Sequence, residues 1–358
     1  MKLAIIVGTR PEVIRLSAII EAAQKQFDVH LIHTGQNYDP NLKDVFFEEF
    51  GIKNCQFANW VGENPGETVG TVISKSYEWL KELKPDALLL LGDTNSCLSA
   101  YSAKRLKIPV FHIEAGNRCF NENVPEEINR RIIDHISDVN MCYTEHARRN
   151  LINEGLVKNV FVVGSPMSQV IANMEKNITR STILQSLNLQ VRKYILVSTH
   201  REENVDLHLD TLLDSLKCMC EHYDVSVIVS LHPRTKALMG ERTLDPRIKL
   251  CKPFKYSDYC KLQKSALVVV SDSGTLTEEA SILGFRAVLM RDSTEHPEGV
   301  DHGSIVLGTI EWQNLKRAID LALSSTIRNI YPYTRTSQAV CNIISGYTPI
   351  VNKYVWYK

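Results

Sequence analysis

Three carboxylates in this 358-residue chain, Asp93, Glu114 and Glu126, have the type and setting for proton chemistry. Asp93 ends the apolar run Ala87–Leu91 through Leu91-Gly92-Asp93-Thr94-Asn95. Glu114 ends the next run through His112-Ile113-Glu114-Ala115-Gly116. Pro125-Glu126-Glu127-Ile128-Asn129-Arg130 then opens a helix, where Glu126 and Arg130 stand four apart on one face and can pair. Singly, Asp93 would serve as a helix cap and Glu126 as an acid favouring a helix N-terminus. Three carboxylates converging at one rim are costly unless they bind cations or move protons, so together they point to acid–base work.

A second set of segments suits an anion. Gly8-Thr9-Arg10-Pro11-Glu12 turns from a strand into a helix, with Pro11 at its first turn and Arg10 beside the exposed amides. A helix cap with a surface arginine would have the same residues. The segment is neither Gly-x-Gly-x-x-Gly nor a Walker loop, which disfavours a dinucleotide dehydrogenase or a P-loop ATPase. His200-Arg201 and His232-Pro233-Arg234 follow two later strands, where phosphate contact competes with a structural histidine. Ser271-Asp272-Ser273-Gly274-Thr275 enters a helix over Thr275–Leu283, and its small side chains let amides reach a diphosphate. Glu278 and Glu279 in the first turn would repel phosphate but could hold ribose hydroxyls, or simply favour the helix dipole.

Each of these segments follows a β-branched run, and the runs alternate with longer amphipathic stretches. Strands are expected at Lys2–Val7, Val29–His33, Ala87–Leu91, Val110–Ile113, Val139–Cys142 and Val160–Val163. The second half adds Tyr194–Val197, Val225–Val229, Ala266–Val270 and Ala287–Met290. Continuous apolar strands with intervening helices, such as Glu12–Gln26, predict an α/β protein with parallel sheets covered on both faces. In such sheets ligands bind beyond the carboxyl ends of the strands, where every segment named above falls. The length fits two domains of roughly 150–200 residues. The boundary is expected near Gly164-Ser165-Pro166, with the polar stretch Glu175–Ser181 beyond it and a helix from Thr336 leading to an aromatic tail.

Composition narrows the partners. Lys+Arg and Asp+Glu are each 41, and this zero formal charge argues against broad nucleic-acid or anionic-membrane binding. The opening apolar run Leu3–Val7 is too short for a signal or membrane segment, so a cytoplasmic protein is expected. Nine scattered cysteines, with only Cys218 and Cys220 close together, fit reduced thiols; no metal site is expected.

Taken in order, these segments resemble the non-hydrolysing UDP-N-acetylglucosamine 2-epimerase family. The match runs from Gly8-Thr9-Arg10-Pro11-Glu12 through Thr34-Gly35-Gln36, Gly92-Asp93-Thr94, His112–Gly116, Pro125–Arg130, His200-Arg201-Glu202-Glu203-Asn204 and Asp272-Ser273-Gly274 to Arg291–Glu298. The resemblance implies a glycosyltransferase-B-like fold of two Rossmann-like domains, 1–166 plus 341–358 and 167–340, with the active site in the cleft between them. It implies loss of the C2 proton and of UDP, then re-addition with the opposite configuration. On this resemblance Asp93, Glu114 and Glu126 are acid/base candidates, Arg130 orients Glu126 or meets the sugar, and His200 contacts the leaving group. Ser273, Gly274 and Thr275 would hold the diphosphate and Glu279 the ribose. Arg10 would meet the nucleotide and Phe254 the uracil, and Arg15, His232 and Arg291 are further substrate contacts. A UDP-sugar substrate, no cofactor and a homodimer are implied.

The chain departs from the family pattern at Arg15 (usually lysine), at Gly35-Gln36-Asn37-Tyr38-Asp39, at Thr275 (usually a second glycine) and at His296 (usually arginine). With Glu114–Phe120 and Trp356, these departures are more similar to the branch converting UDP-2-acetamido-2,6-dideoxy-L-talose to UDP-N-acetyl-L-fucosamine for capsule or O-antigen assembly. The rivals are UDP-N-acetylglucosamine to UDP-N-acetylmannosamine epimerisation, a hydrolysing epimerase, a retaining glycosyltransferase of similar fold, and a non-catalytic UDP-sugar-binding protein.

Overall fold

A computed structural model describes residues 1–36, 47–199, 208–231, 244–332 and 334–358. The described residues form two compact units, Met1–Val170 with Pro332–Lys358, and Ile171–Tyr331. The division falls inside one helix, Met167–Arg180, which includes most of the polar stretch Glu175–Ser181.

The first unit is built on a seven-stranded parallel sheet of order β3-β2-β1-β4-β5-β6-β7. Its strands are β1 (Lys2–Val7), β2 (Asp28–His33), β3 (Cys55–Phe57), β4 (Ala87–Leu91), β5 (Val110–Ile113), β6 (Val139–Cys142) and β7 (Val160–Val162). Alternate residues feed opposite cores, as the two-residue period of a strand requires. Leu3, Ile5 and Val7 pack with Leu89 and Phe111 on one face, while Ala4 and Ile6 pack with Leu88 and Leu90 on the other. Helix α1 (Arg10–Gln24) covers the first face through Val13, Leu16, Ile19 and Ile20. The C-terminal helix Thr336–Tyr354 joins the same core through Val340, Cys341, Ile344 and Val351. Thr336 Oγ1 anchors its start on the Val163 carbonyl at 3.1 Å.

The second unit repeats the plan with six parallel strands, β10-β9-β8-β11-β12-β13. These are β8 (Tyr194–Thr199), β9 (Ser226–Leu231), β10 (Ile248–Cys251), β11 (Val268–Ser271), β12 (Ala287–Met290) and β13 (Val306–Gly308). In both sheets the winding reverses beside the first strand, between β1 and β4 and between β8 and β11. Such a reversal opens a crevice at the carboxyl ends of the strands.

All ten expected strands are present. Three short ones, β3, β10 and β13, were not foreseen, and all three sit at sheet edges. An edge strand is covered less completely, so its sequence lacks the continuous apolar run of a central strand. All nine cysteines are free thiols. Among the described residues no helix is long and apolar enough to cross a membrane.

Candidate active site

At the first unit's crevice, Thr9 caps α1 and Glu12 folds back beneath the turn. Glu12 Oε2 accepts from the Gly8 and Thr9 amides (3.0 and 2.7 Å), from Thr9 Oγ1 (2.8 Å) and from Thr94 Oγ1 (3.0 Å). Its Oε1 accepts from Ser96 Oγ at 2.7 Å, which ties the exit of β1 to the exit of β4. Burial raises the Glu12 carboxyl above its ordinary range, and the Ser96, Thr9, Gly8 and Thr94 donors offset that only in part. The sequence reading offered the amides of this turn to an anion; those of Gly8 and Thr9 are instead taken by Glu12. Arg10 is exposed at the helix start.

Glu114 leaves β5 with φ +70°, a left-handed conformation that a side chain adopts at a cost of about 1–3 kcal/mol. Its carboxylate is buried against the Arg15 guanidinium, accepts from Tyr143 Oη at 3.2 Å and lies 3.4 Å from Asn117 Nδ2. Arg15, expected as a substrate contact, thus neutralises a candidate acid/base. The neighbouring strand end is close: a Cβ on Gly92 would lie 3.8 Å from Glu114 Oε2. Asp93, the next residue, accepts from Arg130 Nε at 2.7 Å.

The expected pairing of Arg130 with Glu126 is corrected by the structure. Helix α2 (Pro125–Ile136) turns Glu127, Arg130 and Asp134 inward together. Arg130 Nη1 donates to Glu127 Oε2 at 2.7 Å and lies 3.5 Å from Cys119 Sγ. Glu127 also accepts from the Cys119 and Phe120 amides at 3.0 and 3.2 Å. Burial pushes Glu127 up, but the Cys119 amide and Arg130 outweigh it and hold the carboxylate below its usual range. Glu126 is half-buried and has no hydrogen-bond or ion-pair partner among the described residues. Arginine therefore pins three carboxylates here, Glu114 through Arg15 and both Asp93 and Glu127 through Arg130, whereas Glu126 has no such partner among the described residues.

At the second unit's crevice, Thr199 closes β8 and donates to the buried Asp272 at 2.8 Å. Ser273 and Thr275 exchange a hydroxyl contact of 3.0 Å just before the helix Leu276–Leu283. Gly274 cannot carry a side chain as the residues stand, because its Cβ would lie 2.5 Å from Glu295 Oε1. Arg291 Nη1 pins Glu295 at 2.8 and 3.1 Å, so this expected substrate contact is committed to an internal ion pair. Glu279, expected at the ribose, is buried and accepts from Gln263 Nε2 at 2.7 Å. Phe254 is partly buried against the core around Tyr194 and Leu196. His200 and His232 lie outside the described residues.

Two further polar groups are buried, one in each unit. His296 is buried with Nδ1 3.2 Å from Glu298, which Tyr331 Oη also meets at 2.6 Å. Burial opposes the imidazolium, yet Glu298 prevails, with Glu278 and Glu295 behind it, and the histidine is pushed up to about 9. Asp134, fully buried, stands four residues after Arg130 on α2, a spacing that places both on one face.

Comparison with known proteins bears on the family and the fold. The model of the UDP-N-acetylglucosamine 2-epimerase family matches residues 20–345. The solved UDP-N-acetylglucosamine 2-epimerase of Rickettsia bellii is 41% identical with a TM-score of 0.93, over 100% of both chains. The Methanocaldococcus jannaschii UDP-GlcNAc 2-epimerase, solved with UDP-GlcNAc and UDP, is 36% identical with a TM-score of 0.90 over 97% of this chain and 100% of that one. A UDP-2,3-diacetamido-2,3-dideoxy-D-glucuronate 2-epimerase of Pseudomonas aeruginosa is 32% identical over 92% of this chain and 94% of that protein. The α/β class of the structural neighbours, glycosyltransferase-B-like, is the one expected.

Proposed function

We propose, since the chain belongs to the UDP-N-acetylglucosamine 2-epimerase family, that it inverts carbon 2 of a UDP-linked 2-acetamido sugar. One side chain takes the C2 proton. The C2–H electrons form the C1–C2 double bond, and the C1–O bond breaks with its electrons going to UDP. A second side chain then protonates C2 on the opposite face while a UDP oxygen returns to C1. The observation that carries this reading is the placement of Glu114, a buried, arginine-paired carboxylate in a strained backbone conformation beside the strand end that bears Asp93.

Asp93, Glu114 and Glu126 are assigned the proton transfers, which need groups on both faces of the ring. Arg130 is assigned to hold Asp93, not Glu126. Ser273, Gly274 and Thr275 are assigned to the diphosphate, with His200 and His232 as further contacts to it. Arg10 and Phe254 are assigned to the nucleotide. For Arg15, Glu279 and Arg291 the internal partners favour holding the site in shape over touching the substrate.

The preferred substrate is UDP-2-acetamido-2,6-dideoxy-L-talose, giving UDP-N-acetyl-L-fucosamine for capsule or O-antigen assembly. Support comes from Arg15, His296 and the Glu114–Phe120 segment. The M. jannaschii relative bound to UDP-GlcNAc favours the second reading, the UDP-N-acetylglucosamine to UDP-N-acetylmannosamine reaction, and the P. aeruginosa relative is named for a third sugar. Proton NMR of each pure UDP-sugar in heavy water separates them, because deuterium enters at C2 only of a true substrate. Turnover of the glucosamine compound alone would remove the fucosamine assignment. Deuterium at C2 of none would remove the activity, and free UDP plus free sugar as main products would point to a hydrolysing enzyme. A homodimer and a cytoplasmic location are proposed with the activity; sedimentation as a monomer at micromolar concentration would contradict the former.

A further inference from the structure

We propose that Asp134 is a positioning residue whose one buried carboxylate aligns all three elements that carry the acid/base candidates. It stands on α2, the helix of Glu126 and Arg130, and is fully buried. Its Oδ1 lies 2.9 Å from His112 Nδ1, two residues before Glu114. The Gly116 amide, two residues after Glu114, donates to it at 3.1 and 3.3 Å. Arg118 Nη1 donates to Oδ2 at 2.7 Å. One carboxylate thus grips both arms of the turn that has Glu114 at its apex.

The grip reaches the third element through the His112 ring, whose Nε2 is 2.9 Å from the Gly92 carbonyl oxygen. A carbonyl only accepts, so Nε2 carries a hydrogen there. Gly92 immediately precedes Asp93. Arg118 is fixed in turn by a two-pronged contact with Glu154, 2.8 and 2.6 Å, and by the Asn117 carbonyl at 2.7 Å. Asn150 Nδ2 holds the Gly116 carbonyl at 2.9 Å.

The need for such a device is visible in Glu114 itself. A side chain in the left-handed region persists only where its surroundings over-determine it. Hydrogen bonds to residues 112, 116 and 118 do so without touching the Glu114 carboxylate. Asp134 is therefore free of any direct part in proton transfer. It acts by keeping the distances between Asp93, Glu114 and Glu126.

The proposal deepens the epimerase reading and rests on it for the kinetic readout alone. In Asp134→Asn the negative charge facing Arg118 is lost, and one of the two oxygens shared among His112, the Gly116 amide and Arg118 becomes an NH2 group. We expect kcat for the substrate to fall ~10- to 100-fold, the scale of misplacing a catalytic group by about 1 Å, while KM and UDP affinity stay near wild type. Hydrogen exchange at the Gly116 amide should speed up in the same variant. Arg118→Lys, which keeps the charge but loses the fork, serves if Asp134→Asn does not fold, and should show a smaller kcat loss with the same pattern. Unchanged kcat in the folded variants, or equal losses in kcat and UDP affinity, would overturn the proposal. If the wild type epimerises no UDP-sugar, the Gly116 exchange rate still decides: faster exchange supports the clamp, and wild-type protection overturns it.

Discussion

Replacing Gly116 by alanine tests how tightly the turn around Glu114 is built. Gly116 has φ +82°, and an added Cβ would lie 2.2 Å from the Ala147 carbonyl oxygen, 2.8 Å from its carbon and 2.9 Å from Leu151 Cγ. The left-handed backbone alone costs a residue with a Cβ about 1–2 kcal/mol. The overlap is with backbone, which cannot swing aside, and overpacking of this kind adds ~1–3 kcal/mol. Together they give ~2–5 kcal/mol, or a fall in Tm of roughly 4–20 °C for a unit of this size. Gly155 provides the control. It has φ +85° in the same unit, but a Cβ there would meet nothing within 4 Å. Calorimetry of Gly116→Ala and Gly155→Ala should therefore separate the two costs, with only the first also slowing turnover. Equal Tm losses in the two variants would refute the steric argument.

Other consequences are equally direct. Glu12→Gln should stay within about 1 kcal/mol of wild type by denaturant titration, because it keeps an oxygen for the Gly8 and Thr9 amides and an NH2 that can donate to Ser96 Oγ, whereas Glu12→Ala, which strands those amides, should cost ~1–3 kcal/mol. The raised pKa of His296 contributes stability that is fully present below about 6.5 and is lost as pH rises through about 9. The Tm gap between wild type and His296→Gln should therefore shrink between pH 6 and pH 10, and a constant gap would contradict the His296–Glu298 ion pair. Gly274→Ala should weaken UDP binding ~10-fold by calorimetric titration, about the 1.4 kcal/mol expected for one disturbed contact, with a measurable fall in Tm because Glu295 can move aside only by loosening its ion pair with Arg291.

Central strands were legible because burial on both faces writes a continuous apolar run, as in Ala87–Leu91. The edge strands β3, β10 and β13 leave no such trace. Within the site, Asp93 and Glu114 were readable as carboxylates ending adjacent strands. The partners of the arginines were not. The inward face of α2 is polar (Glu127, Arg130 and Asp134 are all buried), so the usual rule of apolar residues inward gives no hint that Glu127 displaces Glu126 as the mate of Arg130. Arg15 and Glu114 lie 99 residues apart, and only the pairing of β1, β4 and β5 brings them together. Buried polar networks of this kind depend on tertiary geometry, which a linear pattern does not carry.

Proton transfer by the first unit's carboxylates is most directly tested by the rate at which solvent deuterium enters C2 in Glu114→Gln, measured alongside UDP affinity. The account predicts exchange slowed ~10²-fold or more, the scale for losing an acid/base group, with UDP bound as tightly as by the wild type. Wild-type exchange in that variant would contradict it.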